Sequence, residues 1–269
     1  MNLRFNVCLF LAVFVFGISC SEKKQEAFNF VQLCDTQLGM GGYAHDLKTF
    51  KQAVVQINEM NPDFAVICGD LVHNASDSSY ADFLEIMESF DVPCHVAPGN
   101  HDVGNVPNDS SLSYYRKTIG PDYFNFDNKG YSFVVTNTQL WKEDVADESK
   151  KHDHWFGETL GAQKVKNAPI FVIGHYPLFL EGPDEEEKYF NLPPAKRAEL
   201  LGLFKENGVV AYLSGHTHEL VINDFEGIQF VSGETTSKNF DKRPFGFRVW
   251  EVSTDTIQHH FVPLTDADE

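Results

Sequence analysis

A chain of 269 residues that is 42% hydrophobic and carries 24 phenylalanines has enough apolar mass for one large core, which excludes a disordered protein. Its formal charge of −18 excludes nucleic-acid binding through a basic surface and makes an anionic membrane a poor electrostatic partner. A phosphate-bearing substrate must therefore be drawn in locally, which bound cations can do.

The N-terminus reads as a targeting segment. Arg4 precedes thirteen mostly apolar residues, 7–19, where a bilayer-spanning helix needs about 20. Gly17-Ile18-Ser19 closes the stretch with small residues, as in a secretory signal. With Cys20 next, the segment resembles a bacterial lipoprotein cleavage site, although Gly17 stands where such sites usually carry Leu. Ordinary signal cleavage nearby is the alternative. The chain is accordingly divided into a signal peptide (1–19), a polar tether (20–27) and one domain (28–265). The expectation is an exported protein of the bacterial cell envelope, periplasmic or surface-facing, monomeric, and held to the membrane by a lipid on Cys20.

Within the domain, Phe28 to Cys34 is predicted as a strand and Asp35 to Gly42 as a loop. Leu47, Phe50, Val54, Val55 and Ile57 fall at helical spacing, giving a helix from Asp46 to Met60 that Asn61-Pro62 stops. The continuous apolar run Phe64 to Cys68 suits a strand buried on both faces. A helix over Ser79 to Phe90 and a short strand at His95 to Ala97 follow. After Asp102 come a long loop, a short helix near Ser111 to Ile119, and paired strands at Tyr123 to Phe126 and Tyr131 to Asn137 around a turn. Asp147 to Lys166 reads as a charged surface helix, Ile170 to Ile173 as a strand, and Pro194 to Asn207 as a helix stopped by Gly208. Val209 to Leu213 and four tail segments, near Val221, Ile228, Phe247 and Thr256, read as strands. Strand–helix alternation without an internal repeat argues for one α/β domain. Cys34, Cys68 and Cys94 lie in or beside strands and read as small core residues; an odd number makes no disulfide framework, although an oxidising compartment would allow a bridge between two of them, with nothing in the sequence selecting a pair.

Five apolar runs end on side chains able to hold a metal or carry a proton. They stop at Asp35-Thr36-Gln37, Gly69-Asp70, Gly99-Asn100-His101-Asp102, Gly174-His175 and Gly215-His216-Thr217-His218. In open α/β sheets, chemistry gathers at the carboxyl ends of strands. One such His alone is ordinarily a loop residue; five ends together point to a shared metal centre. His216 and His218, one residue apart, share a face in extended chain with Cα atoms about 6.5 Å apart, which suits one ligand for each of two neighbouring ions. Asp70 is the natural bridge between them, since a carboxylate can bind two ions at once.

These motifs, in this order and over nearly the whole domain, resemble the calcineurin-like metallophosphoesterase superfamily. Gln37 stands where most members carry His. The small calcineurin-like phosphoesterase-domain branch, described as serine/threonine phosphatases, shares that Gln, and the likeness extends through His101 to Pro107, Pro177 to Glu181 and Tyr189 to Leu192. The resemblance implies a four-layer α-β-β-α sandwich of two mixed sheets, with the metal site at strand carboxyl ends. It implies one ion on Asp35, Gln37, Asp70 and His218, and another on Asp70, Asn100, His175 and His216. It further implies a hydroxide between the ions attacking phosphorus, with His101 protonating the leaving oxygen and Asp102 orienting His101. Because an amide oxygen is a harder ligand than imidazole, Gln37 should favour manganese, iron or magnesium over zinc, which remains possible.

His73 and Asn74 follow Gly69-Asp70 closely and could contact the phosphate, or pack the loop. His45 reads as capping or flanking the first helix, His152, His154, His259 and His260 as structural, Asp184 to Glu187 as a solvated acidic loop with substrate selection as the alternative, and Arg243 as part of a turn with phosphate contact as the alternative. Tyr189 and Phe190 could wall the pocket. The expected function is hydrolysis of phosphate monoesters. A phosphodiesterase or nucleotide hydrolase of the envelope is the alternative, and a non-catalytic surface binding protein is disfavoured because it has no need of His101. A palmitate label on the full-length protein, with globomycin-sensitive processing, is expected if Cys20 is lipidated; an unlabelled mature chain would rule the anchor out.

Overall fold

The computed structural model describes residues 25–265. Cys20 and the apolar leader lie outside the described residues. In chain order the first half holds β1 (Phe28–Leu33), α1 (Tyr43–Met60), β2 (Phe64–Cys68), α2 (Asp77–Met87), β3 (Cys94–Ala97), α3 (Asn100–Val103), α4 (Asp109–Thr118), β4 (Phe124–Asn128) and β5 (Tyr131–Val135). Then come α5 (Gln139–Lys142), α6 (Ala146–Val165), β6 (Ile170–Ile173), α7 (Pro194–Asn207), β7 (Val209–Ser214), β8 (Val221–Phe225), β9 (Ile228–Ser232), β10 (Gly246–Val252) and β11 (Ile257–Pro263).

The strands form two mixed sheets, ordered β11-β10-β1-β2-β3 and β4-β5-β6-β7-β9-β8. β1, β2 and β3 run parallel, as do β5, β6, β7 and β9, so the carboxyl ends of each set emerge on one edge. Antiparallel strands are confined to the flanks: β10 and β11 on the first sheet, β4 and β8 on the second.

The two-residue period of β1 explains the layers. Phe28 and Phe30 point between the sheets, where they meet Phe64, Phe133, Phe171 and Trp250. Phe30 stacks on Phe64 at 5.0 Å, and Phe64 meets Phe133 edge-on across the sandwich at 4.8 Å. Val31 and Leu33 face outward onto Phe50 and Val54 of α1, Phe83 of α2 and Leu112 of α4. On the far side, Val134 and Val172 pack under Phe156 and Leu160 of α6 and Phe204 of α7. The result is the expected α-β-β-α sandwich.

The helix stops act locally. Asn61 takes the left-handed conformation that ends α1, and Gly208 does so for α7. Ser76 caps α2 by accepting from the Ser79 N–H. The boundaries lie within a few residues of expectation, but the short helices α3 and α5 have no sequence signal. α6 is more than a surface helix: His152 is fully buried, its Nε2 sits 2.7 Å from the Thr136 hydroxyl, and burial pushes its pKa down to about 3. His154 on the same helix is exposed, as read. Cys34, Cys68 and Cys94 are free thiols.

One buried polar residue ties the sheets together at the edge where the parallel strands end. Gln32 of β1 donates its amide to the carbonyls of Ser214 in β7 and Val231 in β9, and accepts from the Trp250 indole N–H. Replacing it strands these three groups in a dry core. Gln32→Leu is therefore expected to lower unfolding stability by about 2–4 kcal/mol in urea titration, well above the cost of a volume-conserving apolar swap; a change under about 0.5 kcal/mol would show that the clamp carries no stability.

Candidate metal centre

The ends of β1, β2, β6 and β7 and the start of α3 bring Asp35, Gln37, Asp70, Asn100, His175, His216 and His218 to one place. All are buried, none more than 5% exposed. Asp70, His175 and His216 offer ligand atoms within 4.8 Å of one another, and so do Asp35, Asp70 and His218. Asp70 belongs to both groups and faces both halves. Its Oδ1 lies 3.3 Å from His175 Nε2, and its Oδ2 lies 3.3 Å from the Gln37 amide. Asn100 Oδ1 and His216 Nδ1 stand 3.0 and 3.2 Å from His175 Nε2. His218 Nε2 is 3.5 Å from Asp35 Oδ1.

The local backbone is unusual. Asp35, Gln37, Asp70, His216 and His218 all have positive φ, between 30° and 69°. Non-glycine residues rarely adopt this region, and such strain persists only where surrounding structure imposes it. Here the ligand loops brace one another. The Gln37 N–H donates to the Asp70 carbonyl, Gly215 N–H to the His175 carbonyl, His216 N–H to the Asp35 carboxylate, and the Thr235 hydroxyl to the Asp35 carbonyl. Two glycines are needed for close approach. A Cβ on Gly99 would overlap the Asp70 carboxylate, and one on Gly69, itself at φ +79°, would come 2.7 Å from the His175 ring.

The ligands are held in orientations that suit cations. His175 Nδ1–H donates to the Cys68 carbonyl, which leaves Nε2 facing Asp70 and Asn100. His218 is fixed in the same way through the Lys238 carbonyl. The Asn100 amide nitrogen donates to Asn105 Oδ1 at 3.0 Å, which turns its oxygen into the site. Gln37 Oε1 and His216 Nε2 are buried without a hydrogen-bond partner. Buried polar atoms are rarely left unpaired, and the Gln37 oxygen at this acidic, imidazole-rich centre fits a cation ligand; His216 turns Nδ1, rather than its unpaired Nε2, toward His175.

Electrostatics agree. Burial would raise the Asp70 pKa, but the surrounding histidines, His175 foremost, hold the carboxyl well below the usual range. Burial would lower that of His175, yet Asp70 lifts it to about 9. Asp35 is raised by burial, and His216 is pushed well down by burial and the His175 charge. Without cations, a proton on His175 thus balances the carboxylates. Metal ligands must be deprotonated, so cations binding there would displace it.

The role expected of Asp102 requires correction. Asp102 does not orient His101. Its carboxylate accepts the backbone N–H groups of Leu71, Val72 and Gly99, pinning the loop after β2 to the turn before α3. The α3 turn places Asp102 inward and turns His101 to the half-buried rim. Burial and the nearby Asp70 charge push Asp102 up to about 8, against the pull of those N–H groups. The His101 ring is instead fixed by donating Nδ1–H to the His73 carbonyl at 2.7 Å and by stacking on the His73 ring at 4.7 Å. His101 N–H also donates to Asp70 Oδ1, which ties it to the metal centre. Asn74 is exposed beside His73. Tyr176, whose ring lies 3.8 Å from that of His216, and Phe240, stacked on His218 at 4.9 Å, adjoin the ligands without any sequence motif to mark them. Arg243 pairs with Glu234, which also holds the buried Arg248.

The family profile described as Calcineurin-like phosphoesterase matches residues 28–220. The chain belongs to this family. Serine/threonine-protein phosphatase CPPED1 of Bos taurus is 32% identical over 279 residues, 93% of this chain and 88% of that one. The Danio rerio protein of the same name is 31% identical over 280 residues, 94% and 91% of the two chains. A solved dimetal phosphatase from Danio rerio matches the fold with a TM-score of 0.69 at 15% identity, covering 88% of this chain and 96% of that one. As a calcineurin-like phosphoesterase, the protein is a hydrolase of phosphate esters, and its ligand groups fit divalent metal binding.

Manganese added to chelator-treated protein is expected to raise the melting temperature, with about 2.7 kcal/mol of stabilisation at a hundredfold excess over Kd. Asp70→Asn removes the ligand shared by both groups and should abolish that rise; an unchanged rise in this variant would move the metal site elsewhere.

Proposed function

We propose that the protein is a phosphate monoesterase, of the serine/threonine-phosphatase type named for its relatives, with a dinuclear centre on Asp35, Gln37, Asp70, Asn100, His175, His216 and His218. The observation that carries the reading is the Asp70 carboxylate, which faces two buried ligand groups with one oxygen each. When bound there, two cations would supply Lewis acidity, which would favour an anionic ester in an acidic protein and lower the pKa of water. Manganese, iron or magnesium is favoured over zinc, supported by the amide oxygen of Gln37. Metal analysis of protein purified without chelator tests this preference.

The remaining chemistry belongs to the protein's own side chains. The strained loops hold the ligand atoms in place before substrate arrives, so no reorganisation accompanies the reaction. His101 stands at the rim beside Asp70. Because Nδ1–H is committed to the His73 carbonyl, Nε2 is the nitrogen that hands a proton to the departing ester oxygen. A membrane anchor on Cys20 and an envelope location belong to the same proposal, supported by the sequence from Arg4 to Cys20.

With manganese present, p-nitrophenyl phosphate should be turned over much faster than its bis-ester; the reverse order would make the protein a diesterase, and no turnover of either with metal bound would favour a binding role. His101→Ala is expected to retain both metals yet lose about 10²–10³-fold in kcat on alkyl phosphates, with a smaller loss on p-nitrophenyl phosphate, whose leaving group needs no proton. Loss of metal in that variant would show that His101 is a ligand rather than an acid.

A further inference from the structure

Asp46, in the first turn of α1, is a fully buried carboxylate outside the ligand set. Its Oδ2 accepts the Gly39 and Gly41 N–H groups at 2.8 and 3.1 Å, and its Oδ1 accepts the Ser237 hydroxyl at 2.9 Å. The carboxylate thereby joins two segments from opposite ends of the chain, the loop after β1 and the stretch 235–240. Three donors and the N-terminal end of α1 compensate the buried charge. The join is tight: a Cβ on Gly41 would fall 2.6 Å from the Ser237 carbonyl oxygen and 2.7 Å from Asp46 Oδ1.

Both joined segments hold ligands of the same half of the centre. The loop after β1 carries Asp35 and Gln37. From the other segment, the Thr235 hydroxyl donates to the Asp35 carbonyl and the Ser237 hydroxyl lies 3.4 Å from the Gln37 carbonyl. The next residue, Lys238, offers the carbonyl that takes His218 Nδ1–H. Phe240 closes the segment onto the same ligand, its N–H donating to the His218 carbonyl at 3.0 Å. Asn100 and His175, in the other half, are braced from different places, by Asn105 and by the Cys68 carbonyl.

We infer that Asp46 is a positioning residue for one half of the centre: through Ser237 it fixes Asp35, Gln37 and His218, and so sets the affinity of the ion they hold without setting that of the ion on Asn100, His175 and His216. The inference rests on the dinuclear reading above. Groups that orient metal ligands from behind typically carry about 10–100-fold in metal affinity.

The test counts bound manganese rather than turnover. Chelator-treated full-length protein is titrated with manganese, and the free ion is read from its electron paramagnetic resonance signal. The native protein should bind two equivalents. In Asp46→Asn one equivalent should weaken about 10–100-fold and the other by less than about threefold. Ser237→Ala, which removes one contact of the join and no charge, should weaken the same equivalent by a smaller factor, and it carries the test if Asp46→Asn fails to fold. His218→Ala should leave a single tight ion, and adding Asp46→Asn to it should leave that ion's affinity within about threefold. Equal weakening of both equivalents, or weakening of the ion that survives His218→Ala, would make Asp46 a general support of the fold. Unchanged affinity for both ions would detach it from the metal. Either result overturns the inference and leaves the dinuclear reading standing, whereas fewer than two equivalents in the native protein would sink both.

Discussion

The Asp70 carboxylate is the point on which this structure turns. It is buried at the end of β2, in left-handed backbone, with one oxygen toward His175 and the other toward Gln37. An isolated carboxylate in that position is strongly disfavoured, because burial penalises the charged form. It stays ionised chiefly because His175, just past the end of β6 in the second sheet, faces it. The two sheets are thus joined electrostatically at the same edge where Gln32 joins them by hydrogen bonds. Cations in place of the His175 proton would satisfy the same demand, so the site and the sandwich share one stabilising logic.

The fold makes such a carboxylate possible by placing short, parallel, hydrophobic strands behind it. Residues 64–68 and 170–173 are buried along their length, and each ends abruptly in glycine and a ligand. The ligand loops are then forced into left-handed conformations that no single loop would hold alone. The hydrogen bonds between loops, from Gln37 to Asp70, from Gly215 to His175 and from His216 to Asp35, are what hold the strain. Rigidity of this kind favours a preorganised catalyst, at a cost in stability that the aromatic core between the sheets offsets.

The place of Asp102 shows how adjacency in sequence misleads. Next to His101 it looks like the partner that sets the imidazole's tautomer. One turn of α3 sends the two side chains in different directions. Asp102 closes off three backbone N–H groups, and the backbone carbonyl of His73 takes over the orienting role. The device is the same, a fixed acceptor on Nδ1–H, but it comes from main chain, which leaves no residue-type signature.

What the sequence determined by itself was the candidate ligand set and the α/β class, while the four-layer order came with the family resemblance. Strand-ending Asp, Asn, Gln and His residues, each beside a glycine or short turn, are legible because metal binding restricts residue type and close approach restricts the neighbour to glycine. Period-two and continuous apolar runs, with Asn61 and Gly208 as stops, are legible because burial and left-handed caps restrict residue type locally. Tertiary structure alone decided what depended on distant chain segments meeting. Gln32 became a clamp only when β7 and β9 came opposite β1. His152 became a core residue only when Thr136 lay beneath it. Phe240, some twenty residues beyond His218, became part of the site only through a backbone hydrogen bond to that ligand. In each case the side chain's role is set by the atoms it faces, and those come from parts of the chain that no local pattern connects.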